Sequence, residues 1–216
     1  MNKLLTLVSL LLLAGGYLFY HTGYIRSNGT TSIPVSPGIR VEKGTIYKPD
    51  ASQLAAIKTI IRNRHFNPNL AFLINMQQPS SRKRFFVYDL NQDTVIASGL
   101  VTHGRCNEQW LEGRRYSNDV GSRCTSLGNY RIGGAYYGKF GRAYKLYGLD
   151  SSNNKAFERF VVLHSHACVP EIEVDDEICQ SDGCPTVSTG FLKQLQSIID
   201  ASARPVLLSI YDDRIQ

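Results

Sequence analysis

From residue 70 to residue 211 the chain is written in short apolar runs separated by Gly, Pro, Asn, Asp and Ser. This pattern limits the fold more than any other feature, because runs of about 4–8 apolar or β-branched residues bounded by turn formers read as strands. The first run is Leu70 to Met76. Phe85-Phe86-Val87-Tyr88 and Thr94-Val95-Ile96-Ala97 flank Asn91-Gln92-Asp93, which predicts a hairpin. Further strands are expected over 128–134, 143–148, 159–164 and 205–211. Two stretches carry helical spacing instead. Asp50 is a good N-cap, with Gln53 where a capping-box partner sits, and Leu54, Ile57, Ile60 and Ile61 follow at helical intervals, so a helix is expected over 51–64. Phe191, Leu192, Leu195, Ile198 and Ile199 predict a second helix over about 189–200. The fold class that follows is a mainly β domain with peripheral short helices.

The first residues bear on compartment. Lys3 precedes an apolar run from Leu4 to Tyr20. It is longer than most signal-peptide cores and slightly short of the roughly 20 residues of a comfortable span. Residues 1–22 read as an uncleaved signal anchor or a cleaved signal peptide, 23–48 as a Ser/Thr/Gly/Pro-rich linker, and 49–216 as the folded domain. Either reading places the domain outside the cytoplasm, and the anchor reading adds membrane contact through the N-terminal segment. The net charge of +6 favours anionic polymers. No recognised nucleic-acid motif occurs, so nucleic acid is not an expected partner. The oligomeric state is not legible.

Outside the cytoplasm cysteines pair, and this chain has five: Cys106, Cys124, Cys168, Cys179 and Cys184. An odd count leaves at least one thiol unbridged. The segment that draws attention is Arg159-Phe160-Val161-Val162-Leu163-His164-Ser165-His166, then an acidic loop, then Ser181-Asp182-Gly183-Cys184-Pro185. A thiol with a free pKa of about 8.5 is mostly protonated at neutral pH. A nearby imidazole that takes its proton turns it into a nucleophile. Gly183 lets backbone N–H groups approach a substrate carbonyl as an oxyanion site. His164 and His166 are two apart in an extended segment and share a face, so both reach the same side. Spacing alone leaves other readings open: Cys184 in a disulfide, His164 as a core histidine, or a metal held among His164, His166, Cys168, Cys179 and Cys184. The last does not match a recognised zinc spacing, and no metal or cofactor is expected.

The order strand–His, loop, Ser-x-Gly-Cys resembles the catalytic core of L,D-transpeptidases of the YkuD-like type, in the branch where proline follows the cysteine. The likeness extends to Val101-Thr102-His103-Gly104, Tyr116-Ser117-Asn118, Ser122, Thr125-Ser126-Leu127-Gly128-Asn129-Tyr130, Tyr137-Gly138-Lys139-Phe140-Gly141, Leu146-Tyr147-Gly148-Leu149, Asn153 or Asn154, and Arg159, covering roughly 85–188. Two positions depart from it. Asp182 stands where many members have His, and Ser165 where many have Gly.

The resemblance implies a sandwich- or barrel-like β catalytic domain acting on peptidoglycan stem peptides, with Cys184 as nucleophile and His164 as acid and base. A backbone carbonyl near Ser165 would orient the imidazole. It implies Ser181, Asp182, Gly183 and Ser165 as the shaping residues of the site, and His103, Ser126, Gly128, Tyr137, Arg159 and His166 as substrate-site candidates. With Cys184 as nucleophile, the expected bridges are Cys168–Cys179, pinning the acidic loop Glu171–Glu177, and Cys106–Cys124. Hydrolysis in place of cross-linking, a papain-like hydrolase, and a non-catalytic disulfide-stabilised module are the alternatives. The papain-like order would put Cys before His, the reverse of this chain.

Overall fold

A computed structural model describes residues 47–214. The signal segment and nearly all of the expected linker lie outside the described residues. Among the described residues no helix is long and apolar enough to cross a membrane.

Helix α1 (Ala51–Asn63) opens as its cap predicts, with the Asp50 carboxylate accepting from Gln53 N–H at 2.8 Å. Strands β1 (Leu70–Asn75), β2 (Phe85–Asp89) and β3 (Thr94–Gly99) follow as antiparallel neighbours. Asp93 turns the β2–β3 hairpin in the left-handed region (φ 52°) and accepts from the Tyr88 hydroxyl at 2.6 Å. Then come β4 (Gly128–Gly138), β5 (Gly141–Gly148), β6 (Val162–Ser165), β7 (Thr186–Val187), helix α2 (Thr189–Ala201) and β8 (Leu207–Tyr211). The sheet order is β3-β2-β1-β8-β4-β5-β6-β7.

The unbroken apolar run of β1 is explained by burial on both faces. Leu70, Phe72 and Ile74 point into one core with Phe85, Val87, Leu208, Ile210 and the α2 residues Phe191, Leu192 and Leu195. The alternate residues Ala71 and Leu73 point into a second core with Phe86, Tyr88, Leu207 and the α1 residues Ile57 and Ile61. Each helix therefore covers one face.

The sheet also curls. Chain leaving β3 pairs Val101 with Val187 of β7, and Thr102 N–H donates to Thr186 O at 2.9 Å. The two sheet edges meet there, which gives the barrel-like closure and brings residues 101–104 beside the Cys184 turn.

One expected strand is shorter than its apolar pattern. Residues 159–164 form strand only from Val162; Arg159 N–H returns to Lys155 O at 2.9 Å, and Phe160 adopts a left-handed backbone (φ 56°). The reason is the turn that closes residues 151–160 against β5, where Val161 N–H donates to Ala156 O.

Candidate active site

Parallel pairing of β6 with β7 sets His164 opposite Thr186. Two residues back along each chain lie Val162 and Cys184, on the same faces by the two-residue period of extended backbone. Accordingly Val162 N–H points at Cys184 Sγ (3.5 Å), and the thiol points at Phe160 O (3.7 Å). Cys184 is half-buried and unbridged. Its four companions are joined as Cys106–Cys124 and Cys168–Cys179. Two of the five residues of the metal reading are thereby consumed, and among the described residues no cluster of three or more His, Cys, Asp or Glu could hold a metal.

The imidazole of His164 is fixed from three sides. Nδ1 faces Ser165 O at 3.1 Å, Nε2 faces Thr186 Oγ1 at 3.0 Å, and the Phe140 ring stacks on it at 4.5 Å. A carbonyl only accepts, so Nδ1 carries the proton and Nε2 offers the lone pair. His166 meets the same Phe140 ring edge-on at 5.9 Å but is exposed, its Nδ1 accepting from Cys168 N–H. No hydrogen bond joins His164 to Cys184 among the described residues. Burial lowers the His164 pKa. Burial likewise pushes the Cys184 thiol up, opposed by the Val162 N–H; Asp182 pushes it further up and Arg159 draws it down. The resting pair is thus a neutral thiol beside a neutral imidazole.

The turn carrying Cys184 is held by Ser181. Its N–H and hydroxyl both go to His103 O (2.9 and 3.3 Å), its hydroxyl also reaches Cys184 O (2.7 Å), and Arg105 N–H donates to Ser181 O. The Gly183 N–H is taken by Ser181 Oγ at 3.2 Å. Of the two expected oxyanion donors, the Cys184 N–H is therefore the one without a protein partner among the described residues. Gly183 is required as glycine twice over. Its φ is +102°, and a Cβ would lie 2.6 Å from Cys124 O. Asp182 does not lean over the thiol: it is exposed and paired with Arg105 at 2.7 Å.

Around this centre the other candidates separate. Arg159 donates to Ser117 O, Ser126 Oγ, Ser122 Oγ and Cys124 O, at 2.8, 3.0, 3.3 and 2.6 Å. It ties the Cys106–Cys124 segment to the site, and its charge reaches the thiol. Ser126 positions it, bonded also to the Tyr130 hydroxyl. His103 is buried, with Nδ1 toward Arg84 Nη2 at 3.3 Å; it shapes the site through its carbonyl, not its ring. Gly128 (φ +123°) lets the Asp150–Asn153 loop close on β4. Tyr137 is 80% exposed at the tip of the β4–β5 hairpin and makes no hydrogen bond or ring contact with His164 or Cys184.

Sequence reasoning missed three participants: Thr186, Phe140 as the ring on His164, and the Phe160 carbonyl. Thr186 was findable, since it lies two residues from Cys184 in extended chain; the other two depend on tertiary contacts. The acidic loop is also less free than its composition suggests. Glu171 accepts from Ser188 Oγ and Gly190 N–H at the start of α2, Glu173 from Lys83 N–H, and Glu177 pairs with Arg114.

None of the curated proteins matches the sequence. Among solved structures, the chain is similar to the helical cell shape determining protein Pgp2 from Campylobacter jejuni (14% identity, TM-score 0.41, 67% of this chain and 48% of that one). It is similar to an L,D-transpeptidase from Xylanimonas cellulosilytica (14%, 0.36, 71% and 68%) and to the L,D-transpeptidase LdtMt1 in complex with imipenem (12%, 0.39, 66% and 59%). The chain thus spans about half the length of the Pgp2 chain. The sequence model for the L,D-transpeptidase catalytic domain matches residues 44–209. The chain belongs to the L,D-transpeptidase catalytic-domain family.

Proposed function

We propose that this protein is a cysteine L,D-transpeptidase that acts on peptidoglycan stem peptides in the bacterial envelope. Residues 1–22 carry the domain to the periplasmic side and anchor it in the inner membrane, and 23–48 tether it. The observation that carries the reading is Cys184, the one unbridged thiol of five, facing the strand that presents His164 with Nδ1 on Ser165 O and its basic nitrogen, Nε2, toward Thr186 Oγ1.

The reaction begins when His164 Nε2 takes the Sγ proton and the thiolate attacks the carbonyl of the third stem residue, a diamino acid. The Cys184 N–H receives the oxyanion. The C–N bond to the terminal D-Ala then breaks, His164 returns the proton to the leaving amine, and a thioester remains. The side-chain amine of a second stem attacks the thioester and forms the cross-link, freeing the thiol. With water as acceptor the same centre is a carboxypeptidase or endopeptidase. Arg159 offsets the thiolate charge during acylation.

A carbapenem such as imipenem tests the centre, because its strained cyclic amide opens on thiolate attack and leaves a stable thioester. Intact mass of the full chain is expected to show one adduct, absent from Cys184→Ala. An adduct that survives Cys184→Ala would refute the assignment.

A further inference from the structure

We infer that Thr186 is a positioning residue whose hydroxyl occupies the His164 lone pair in the resting enzyme, so that thiol and base couple only once that hydroxyl turns away. The inference rests on the acyl-transfer reading and adds to it the control of proton transfer within the pair.

Ser165 O can only accept, so the proton of neutral His164 sits on Nδ1 and Nε2 is bare. The atom within reach of Nε2 is Thr186 Oγ1 at 3.0 Å, and toward a bare nitrogen the hydroxyl must donate. Thr186 Oγ1 has a second acceptor nearby, Cys184 O, at 3.4 Å. That carbonyl already receives the Ser181 hydroxyl at 2.7 Å and the Thr102 hydroxyl at 3.2 Å, which fills its two lone pairs. The Thr186 proton is therefore held on Nε2. The thiol, denied that lone pair, is directed to Phe160 O instead.

Release needs only rotation about the Thr186 C–O bond. A substrate that draws Thr102 or Ser181 off Cys184 O would vacate an acceptor for Thr186 and free Nε2. A hydrogen bond to the neutral ring also disfavours its protonation. The other groups that bear on this equilibrium are His166 just beyond β6, Asp182 and Arg159 near the thiol, and Lys139, whose Nζ lies 5.4 Å from the Phe140 ring that stacks on His164.

The test is the pH dependence of Cys184 alkylation by iodoacetamide, read by intact mass on the full chain with both disulfides formed. Thr186→Val removes the hydroxyl at nearly constant volume. The expected result is a midpoint moved to lower pH and a rate at pH 7 raised about fivefold, the factor that one ordinary hydrogen bond is worth. Thr186→Ser, which restores the hydroxyl, is expected to return the midpoint. A purely structural Thr186 would lower the unfolding midpoint and leave the pH profile in place. An unmoved profile in a folded Thr186→Val protein overturns the inference, as does Thr186→Ser behaving like Val. Adding His164→Ala separates the two levels. If the profile of Thr186→Val then collapses, the base assignment holds; if neither background responds to His164→Ala, the base assignment itself fails and the inference with it.

Discussion

His103 gives the protein a stability loss on mild acidification whose size follows from its surroundings. The ring is 1% exposed, and its Nδ1 accepts from the Arg84 guanidinium. A proton on that nitrogen would face a buried cation. Burial, then the charges of Arg114 and Arg84, push its pKa down to about 3 from an ordinary 6.5. The folded chain thus keeps the ring neutral where the unfolded chain protonates it. Below pH 6.5 the unfolded state binds the extra proton, so stability falls as pH falls, and the loss levels off only near pH 3. At about 1.4 kcal/mol per pH unit, the drop from pH 7 to pH 5 costs about 2 kcal/mol, within a ceiling of about 5 kcal/mol. The assay is urea unfolding at pH 7 and pH 5 for the full chain and for His103→Asn, whose Oδ1 can still accept from Arg84 but does not titrate. His164, also lowered by burial, titrates alike in both proteins and cancels. Asp212, held down to about 2 chiefly by Arg214, responds at lower pH. The wild type should lose about 2 kcal/mol more than His103→Asn over this interval. Equal losses would refute the burial argument.

Three further outcomes follow from the site. Gly183→Ala should abolish acylation of Cys184, because at φ +102° its Cβ would meet Cys124 O at 2.6 Å and the turn must shift; a variant acylated by imipenem at the wild-type rate would contradict this. Asp182→Asn removes an anion that raises the thiol pKa, so alkylation at neutral pH should speed up, while the unfolding free energy changes by no more than about 0.5 kcal/mol at this exposed ion pair. Removing the Cys168–Cys179 bridge by the double Ser substitution should lower stability by about 3 kcal/mol, as loop-closure entropy predicts for a separation of 11 residues; denaturant titration reads it.

The sequence was most legible where local chemistry decides structure. Asp50 caps the first helix as its side chain dictates, and the apolar run from Leu70 marks β1. The β2–β3 hairpin follows from its turn residues Asn91-Gln92-Asp93. What escaped depends on tertiary contact. β7 is two residues long and too short to show a period, yet it closes the sheet and faces His164 with Thr186. Phe160 sits in an apolar run that predicts strand, but its left-handed backbone breaks the run, leaves the ring 85% exposed and turns its carbonyl to the thiol. Arg84 is the last of three consecutive cations, Arg82-Lys83-Arg84, yet closure of residues 101–104 over it buries it completely, its guanidinium satisfied by Val101 O and Gln78 O. Asp182 stands where many family members have His, and the partner that draws it outward, Arg105, lies 77 residues away in the chain.

The central claim is that Cys184 forms a thioester with the third residue of a stem peptide. It is tested most directly by acid-quenching the full chain after brief incubation with a disaccharide-tetrapeptide and measuring intact mass, beside Cys184→Ala and His164→Ala. The account predicts an adduct of the substrate less one D-Ala, absent from Cys184→Ala and slow to form in His164→Ala. Product that accumulates equally with Cys184→Ala, or a wild-type chain that forms neither adduct nor product, would contradict it.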